Sequence, residues 1–250
     1  MLLEVHTSVR GELNPDPALD PIQAVFIAIT NDCPPKHFLQ SNITEIYVVN
    51  ELKDPKFLDR CGINSEIHYV SSENEVLEKV IESVKKHDPD IMCGYEIEAS
   101  SWGYVLERAQ VLGLEMIREM SRITEKNRQK RYKHDENEME GRVIGRVTFN
   151  VWRLFRHELA LSSYSFENCM YVILNERVQK YTYAQLSEWW NEESRILRWI
   201  PVDYYMTKLN GTVRMLEKLD IISMCCVIEY FVLISYDQLF YMYYLFKCIL

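Results

Sequence analysis

The sequence predicts an α/β fold in which a central mixed sheet is flanked by helices. Its 250 residues are 48% apolar and 26% charged, a balance that allows a sizeable buried core. Short β-prone runs occupy the first part of the chain, and a strand, an amphipathic helix and another strand then follow one another. We expect the sheet to include residues 1–6, 22–30, 43–50, 91–95 and 143–151.

The first two strands are predicted to pair as a hairpin. Residues 1–7 and 22–30 are apolar and β-prone, and residues 14–17 between them read Asn-Pro-Asp-Pro, which favours a turn. Further short strands are predicted at residues 43–49 and 67–70.

An amphipathic helix follows these strands. Ser72 and Glu75 have the spacing of a capping box, and apolar residues then recur at helical spacing up to Val84. Asp-Pro-Asp at residues 88–90 ends this helix, and an apolar strand follows. A second helix is predicted from Ser101 to Leu112.

A charged segment separates this part of the chain from the rest. Seven basic residues lie between Arg118 and Lys133, and an acidic stretch follows at residues 135–140. Because the segment shows no apolar periodicity, we interpret it as a solvated loop; a DNA-contacting loop is the alternative. After the strand at residues 143–151, the chain up to Ile222 is predicted to be mainly helical.

Charge and cysteine usage restrict the class of protein. The net charge of −9 argues against a free-standing nucleic-acid binder, because such proteins present a basic face to phosphates. The seven cysteines include no Cys-x-x-Cys pair, so they predict reduced thiols and no structural zinc site. The first residues lack the basic start and apolar run of a signal peptide, so an intracellular location is expected.

The last thirty residues are almost wholly apolar and aromatic, but three charged residues, Glu229, Asp237 and Lys247, interrupt them. A membrane-spanning helix needs about 20 mainly apolar residues in succession, so we do not expect a membrane anchor. We divide the chain into one domain at residues 1–222 and a tail at residues 223–250, which we interpret as aberrant or disordered. Membrane association through this tail is the alternative.

Motifs in order along residues 1–222 resemble the 3′–5′ exonuclease domain of family-B DNA polymerases. Four stretches carry the resemblance: residues 3–6 (Leu-Glu-Val-His) with 15–22, residues 88–97 (Asp-Pro-Asp-Ile-Met-Cys-Gly-Tyr-Glu-Ile), residues 145–147 (Gly-Arg-Val) with 163–168, and Tyr204 with residues 215–219. Their variants are most similar to the translesion polymerase of this family. The resemblance implies a ribonuclease-H-like fold.

The resemblance also implies where metal-binding carboxylates would stand. Exonucleases of this type hydrolyse a phosphodiester with two divalent metals held by four acids. The family's first Asp and Glu correspond to Glu4 and His6, and its second-motif Asp corresponds to Ser101. In the third motif Tyr204 is kept, but the Asp four residues later is Lys208. Only Glu4 is still an acid. We interpret Glu4 and His6 as an ordinary polar strand face.

We therefore expect an inactive exonuclease-like domain within a larger translesion polymerase, with a structural and DNA-binding role and no proofreading. An active exonuclease with unusual ligands is the alternative. No cofactor is expected in this chain, whereas the parent polymerase would use Mg²⁺. The expected partners are DNA, bound weakly by this chain alone, and the polymerase's other domains and accessory subunits. The expected location is the nucleus.

Overall fold

A computed structural model describes residues 1–31, 42–49, 65–123, 143–192 and 196–221. Six strands are present in them: β1 (Leu2–Thr7), β2 (Ile22–Thr30), β3 (Asn42–Val49), β4 (Glu66–Val70), β5 (Ile91–Gly94) and β6 (Val147–Asn150). The α-helices are α1 (Glu73–His87), α2 (Trp102–Val111), α3 (Met116–Met120), α4 (Val151–Glu158), α5 (Phe166–Cys169), α6 (Tyr183–Asn191) and α7 (Trp199–Lys218). A π-helical turn, Met170–Leu174, continues α5, and a 3₁₀ turn, Ile196–Arg198, leads into α7.

The strands form one mixed sheet in the order β4-β3-β2-β1-β5-β6. The β1–β2 and β2–β3 pairs are antiparallel, and the other three pairs are parallel. The predicted hairpin is confirmed, with Glu4 opposite Phe26 and His6 opposite Ala24. The predicted α/β class with a central mixed sheet is confirmed as well.

Apolar layers cover both faces of this sheet. Leu3 and Val5 of β1 belong to a core with residues of α1, α2 and α3. Leu2 belongs to a second core with residues of α4, α5, α6 and α7. Since side chains alternate along a strand, Glu4 and His6 share the face of Leu2. The sequence alternation of β1 therefore places these two polar residues beneath the helical layer that contains α7.

The ends of α1 follow from local chemistry. The Ser72 hydroxyl accepts a hydrogen bond from the Glu75 backbone N–H at 3.3 Å, so half of the predicted capping box forms. The Glu75 carboxylate accepts from the Ser71 N–H at 2.8 Å instead of completing the box. The helix ends where Asp88 adopts a left-handed conformation with φ of 43°. A complete capping box, which was not predicted from the sequence, is formed by Thr182 and Gln185 at α6.

Two predicted segments differ from the structure. The strand predicted at residues 143–151 is confined to Val147–Asn150, because Gly145 turns with φ of 83° and the Asn150 side chain caps α4. The loop predicted from Arg118 is wrong at its start, since Arg118 lies in α3, whose Met116 and Met120 are buried. The rest of the basic segment beyond residue 123 lies outside the described residues.

No helix in the described part of the chain is both long enough and apolar enough to cross a membrane. The tail at residues 223–250 lies outside the described residues.

Candidate functional site

The Glu4 carboxylate is buried between the sheet and α7. Its side chain is 0% exposed, and Oε2 lies 2.7 Å from the Lys208 Nζ. The other oxygen, Oε1, accepts a hydrogen bond from the backbone N–H of Tyr95 at 3.3 Å. Burial raises the pKa of Glu4, and the charge of Lys208 works against that rise. One cation and one backbone donor therefore hold this carboxylate.

Lys208 enters the same site from α7 and is itself buried, with 8% of its side chain exposed. Its Nζ also lies 3.4 Å from the Ser100 Oγ, in the turn between β5 and α2. Burial alone would lower the pKa of Lys208, but the nearby Glu4 carboxylate outweighs it and raises the pKa above the usual value. The amine is therefore charged, and we treat Glu4 and Lys208 as a buried ion pair.

His6 lies two residues further along β1 on the same face and is 1% exposed. Its ring centroid is 4.5 Å from that of Trp190 and 5.5 Å from that of Tyr205. Nδ1 lies 3.4 Å from the Tyr205 hydroxyl. Burial lowers the pKa of His6 to about 3, so the imidazole is neutral at physiological pH. Glu4 and His6 thus form a polar face of β1 that is buried, since both side chains are enclosed.

The two serines that precede α2 have different contacts. Ser101 is fully buried, and its hydroxyl donates to the Leu3 carbonyl at 2.6 Å. A Cβ atom at Gly94 would lie only 2.1 Å from the Ser101 Oγ, so the backbone of β5 passes against this side chain. Ser100, not Ser101, contacts the ion pair through Lys208.

Tyr204 precedes Lys208 by one helical turn, so both lie on the same side of α7. Its hydroxyl is 3.4 Å from the Glu167 Oε1, and its ring contacts the rings of Tyr181 and Tyr205. Burial raises the pKa of Tyr204, so its phenol is neutral. Tyr204 and Lys208 thus lie on one side of α7, and Lys208 contacts Glu4 of β1. The Ser101 hydroxyl, in contrast, donates to the backbone of β1.

Some residues of this site were not identified from the sequence. Tyr183 of α6 interacts with the Ser100 hydroxyl, and burial raises its pKa. Trp190 and Tyr205 enclose His6. The sequence predicted helices in this part of the chain but did not indicate which aromatic rings would cover β1.

The donor set does not fit a pair of divalent metals. Such sites use several carboxylate oxygens, and here one carboxylate stands against an ammonium group. Within the described residues, no group of three or more His, Cys, Asp or Glu side chains could hold a metal ion.

Comparisons with known proteins agree with this architecture. Residues 1–169 match the family described as DNA polymerase family B, exonuclease domain. The human DNA polymerase zeta catalytic subunit is 34% identical over 237 residues, which cover 88% of this chain and 8% of that protein. The same subunit from Drosophila melanogaster is 38% identical, covering 88% of this chain and 11% of its own length. The subunit from Saccharomyces cerevisiae is 26% identical, covering 89% and 15% respectively.

The chain thus spans between 8% and 15% of the length of these relatives. The mixed six-stranded sheet with flanking helices is consistent with a ribonuclease-H-like 3′–5′ exonuclease domain. The family match over more than half of the chain and the agreement among these relatives lead to one conclusion. The chain belongs to the exonuclease domain family of family-B DNA polymerases and is an exonuclease-like domain of the zeta type.

Proposed function

We propose that this chain is a catalytically silent exonuclease-like domain that serves a zeta-type polymerase through structural and DNA contacts and does not proofread. The observation that carries this proposal is the buried ion pair between Glu4 and Lys208 at 2.7 Å. It engages the one acid that remains among the four positions where the family resemblance implies metal ligands.

Electrostatics explain why the pair opposes metal binding. Two unit charges 4 Å apart interact by about 4 kcal/mol at an effective dielectric constant of 20. A dication beside the Lys208 ammonium would be repelled by about twice that amount, since its charge is double. One carboxylate already paired with that ammonium offers little compensation.

The other positions do not make up for this loss. His6 is a neutral imidazole enclosed by aromatic rings, and the Ser101 hydroxyl donates to the Leu3 carbonyl. A metal site needs several donors that converge on one point, and a single histidine beside a single glutamate is a poor set for a hard cation. The alternative of an active exonuclease with unusual ligands therefore has little support.

The wider role follows from the names of the relatives, which are catalytic subunits of DNA polymerase zeta. We infer a nuclear protein that acts with the remaining domains and accessory subunits of a translesion polymerase. Mg²⁺ would serve the polymerase reaction of the parent protein and not this domain. DNA contacts of this chain are proposed to be weak, because its net charge of −9 repels phosphates.

Restoration of the four acids tests the proposal. The variant would carry Glu4→Asp, His6→Glu, Ser101→Asp and Lys208→Asp, and Mn²⁺ binding would be measured by titration beside wild type. We expect no saturable Mn²⁺ binding at this site in wild type and clear binding in the variant, because four carboxylates would replace one ion pair.

The crowding between Gly94 and Ser101 requires a matched control. The control variant carries Glu4→Asp, His6→Glu and Lys208→Asp but keeps Ser101. It restores three acids without forcing a larger side chain against β5. Saturable Mn²⁺ binding by wild type that Glu4→Ala abolishes would contradict the proposal.

A further inference from the structure

The Glu4–Lys208 pair joins two layers of the fold. Glu4 belongs to β1 in the middle of the sheet, and Lys208 belongs to α7, which packs on that sheet. Through Ser100, the same ammonium group also contacts the turn that leads into α2. One charged nitrogen thus connects three segments that are far apart in the sequence.

Apolar packing alone specifies the position of α7 less precisely than packing that includes a buried ion pair. Its buried face includes Tyr205, which stacks on Phe26 of β2 with ring centroids 5.0 Å apart. Apolar contacts of this kind are largely non-directional, so they constrain the register of a helix less sharply than a charge pair does. A buried charge, in contrast, has only one favourable position when a single opposite charge is within reach.

We propose that the Lys208 ammonium is a built-in replacement for divalent metal, which holds α7 on β1 and lets the domain reach its native packing without any metal ion. The inference rests on the proposed function, because it assumes that Glu4 and Lys208 occupy former ligand positions. It adds that the site has been converted from binding metal to joining the layers of the fold.

The exposed pair Lys79–Glu82 on α1 provides a matched control. Its Nζ to Oε2 distance is also 2.7 Å, but its side chains are 39% and 65% exposed, against 8% and 0% for Lys208 and Glu4. The two pairs thus share one distance but differ in burial and in sequence separation, because Lys79 and Glu82 lie three residues apart on one helix.

The test is a double-mutant cycle on the full chain, with unfolding by urea followed by tryptophan fluorescence. The buried cycle uses Lys208→Met, Glu4→Gln and the double variant; the control cycle uses Lys79→Met and Glu82→Gln. Each protein is measured in EDTA and in excess Mg²⁺. The substitutions remove charge while they approximately preserve side-chain length.

We expect each buried single substitution to lower the folding equilibrium constant by about 100-fold or more, since it leaves an unpaired buried charge. The buried double variant should recover to within about 10-fold of wild type. The control substitutions should each change the constant by less than about 5-fold. Wild type should be equally stable in EDTA and in Mg²⁺.

Three outcomes would overturn the inference: Lys208→Met as stable as wild type, a double variant no more stable than the single variants, or wild type stabilised by Mg²⁺. If Lys208→Met fails to fold, recovery of folding in the double variant still decides the question.

A nuclease assay on the same wild-type sample separates the two proposals. An inactive protein without coupling between Glu4 and Lys208 would reject only this inference, whereas metal-dependent cleavage would reject the proposed function too.

Discussion

Glu45 is expected to be one of the main contributors to stability outside the candidate site. Its carboxylate is 1% exposed and accepts hydrogen bonds from Tyr47 at 2.8 Å, Ser83 at 2.6 Å and His87 at 2.9 Å. Lys86 lies 3.2 Å away on the same helix as Ser83. These contacts join β3 to the last turns of α1, so Glu45→Gln should loosen that junction.

The size of the effect follows from the pKa of this carboxyl. Burial alone would raise the pKa of Glu45, but the hydrogen bonds from Ser83, His87 and Tyr47 outweigh it and lower the pKa from 4.5 to about 2. That difference corresponds to roughly 3 kcal/mol at neutral pH, and screening near the end of α1 reduces it to about 2 kcal/mol. Because the folded-state pKa is the lower one, this stability is present above pH 4.5 and is lost as the pH falls towards about 2.

Urea unfolding of wild type and Glu45→Gln at several pH values would measure this contribution. We expect Glu45→Gln to be less stable by about 2 kcal/mol near pH 7 and by about 1 kcal/mol or less near pH 3. Glu82→Gln, at an exposed position of α1, should show almost no difference. A difference for Glu45→Gln that does not change with pH would refute the assignment of this stability to the ionised carboxylate.

Further predictions concern the packing at β5, DNA binding and the tail. Gly94→Ala should destabilise the fold by about 1–3 kcal/mol, because the new Cβ would lie 2.1 Å from the Ser101 Oγ. Adding Ser101→Gly should recover part of this loss, and urea unfolding of both variants would measure the free energies. Single-stranded DNA should bind weakly and with a steep salt dependence in fluorescence anisotropy, since the net charge of −9 repels phosphates and only ionic contacts of local basic residues can offset it; tight, salt-insensitive binding would contradict this. Residues 1–222 alone should elute as a monomer in size exclusion with less aggregate than the full chain, because the apolar tail promotes association. A finding that the tail is required for a soluble monomer would contradict this prediction.

Most of the sheet could be predicted from the sequence because its strands are short β-prone runs bounded by turn residues. β1 and β2 are clear for this reason. The short helix α3 was missed because five residues that include Arg118 and Glu119 show no extended periodicity. The bounds of β6 were predicted too widely because neither the turn at Gly145, with its φ of 83°, nor the Asn150 side-chain cap of α4 is visible in the apolar pattern.

The candidate site could be predicted only in part. The family resemblance identified Glu4, His6, Ser101, Tyr204 and Lys208, but no pattern in the sequence indicated that Glu4 and Lys208 would be buried. Burial of this kind depends on how α6 and α7 cover β1, which is a tertiary property. The orientation of Ser101 towards the Leu3 carbonyl depends on the local turn before α2 and was equally inaccessible.

A nuclease time course tests the central claim most directly. Wild-type protein and Glu4→Ala would be incubated with an end-labelled single strand and Mg²⁺ or Mn²⁺, beside an active family-B exonuclease as a positive control. We predict no metal-dependent shortening of the strand by either protein, because the remaining carboxylate is bound to Lys208. Shortening by wild type that disappears in Glu4→Ala would contradict the assignment of a silent exonuclease-like domain.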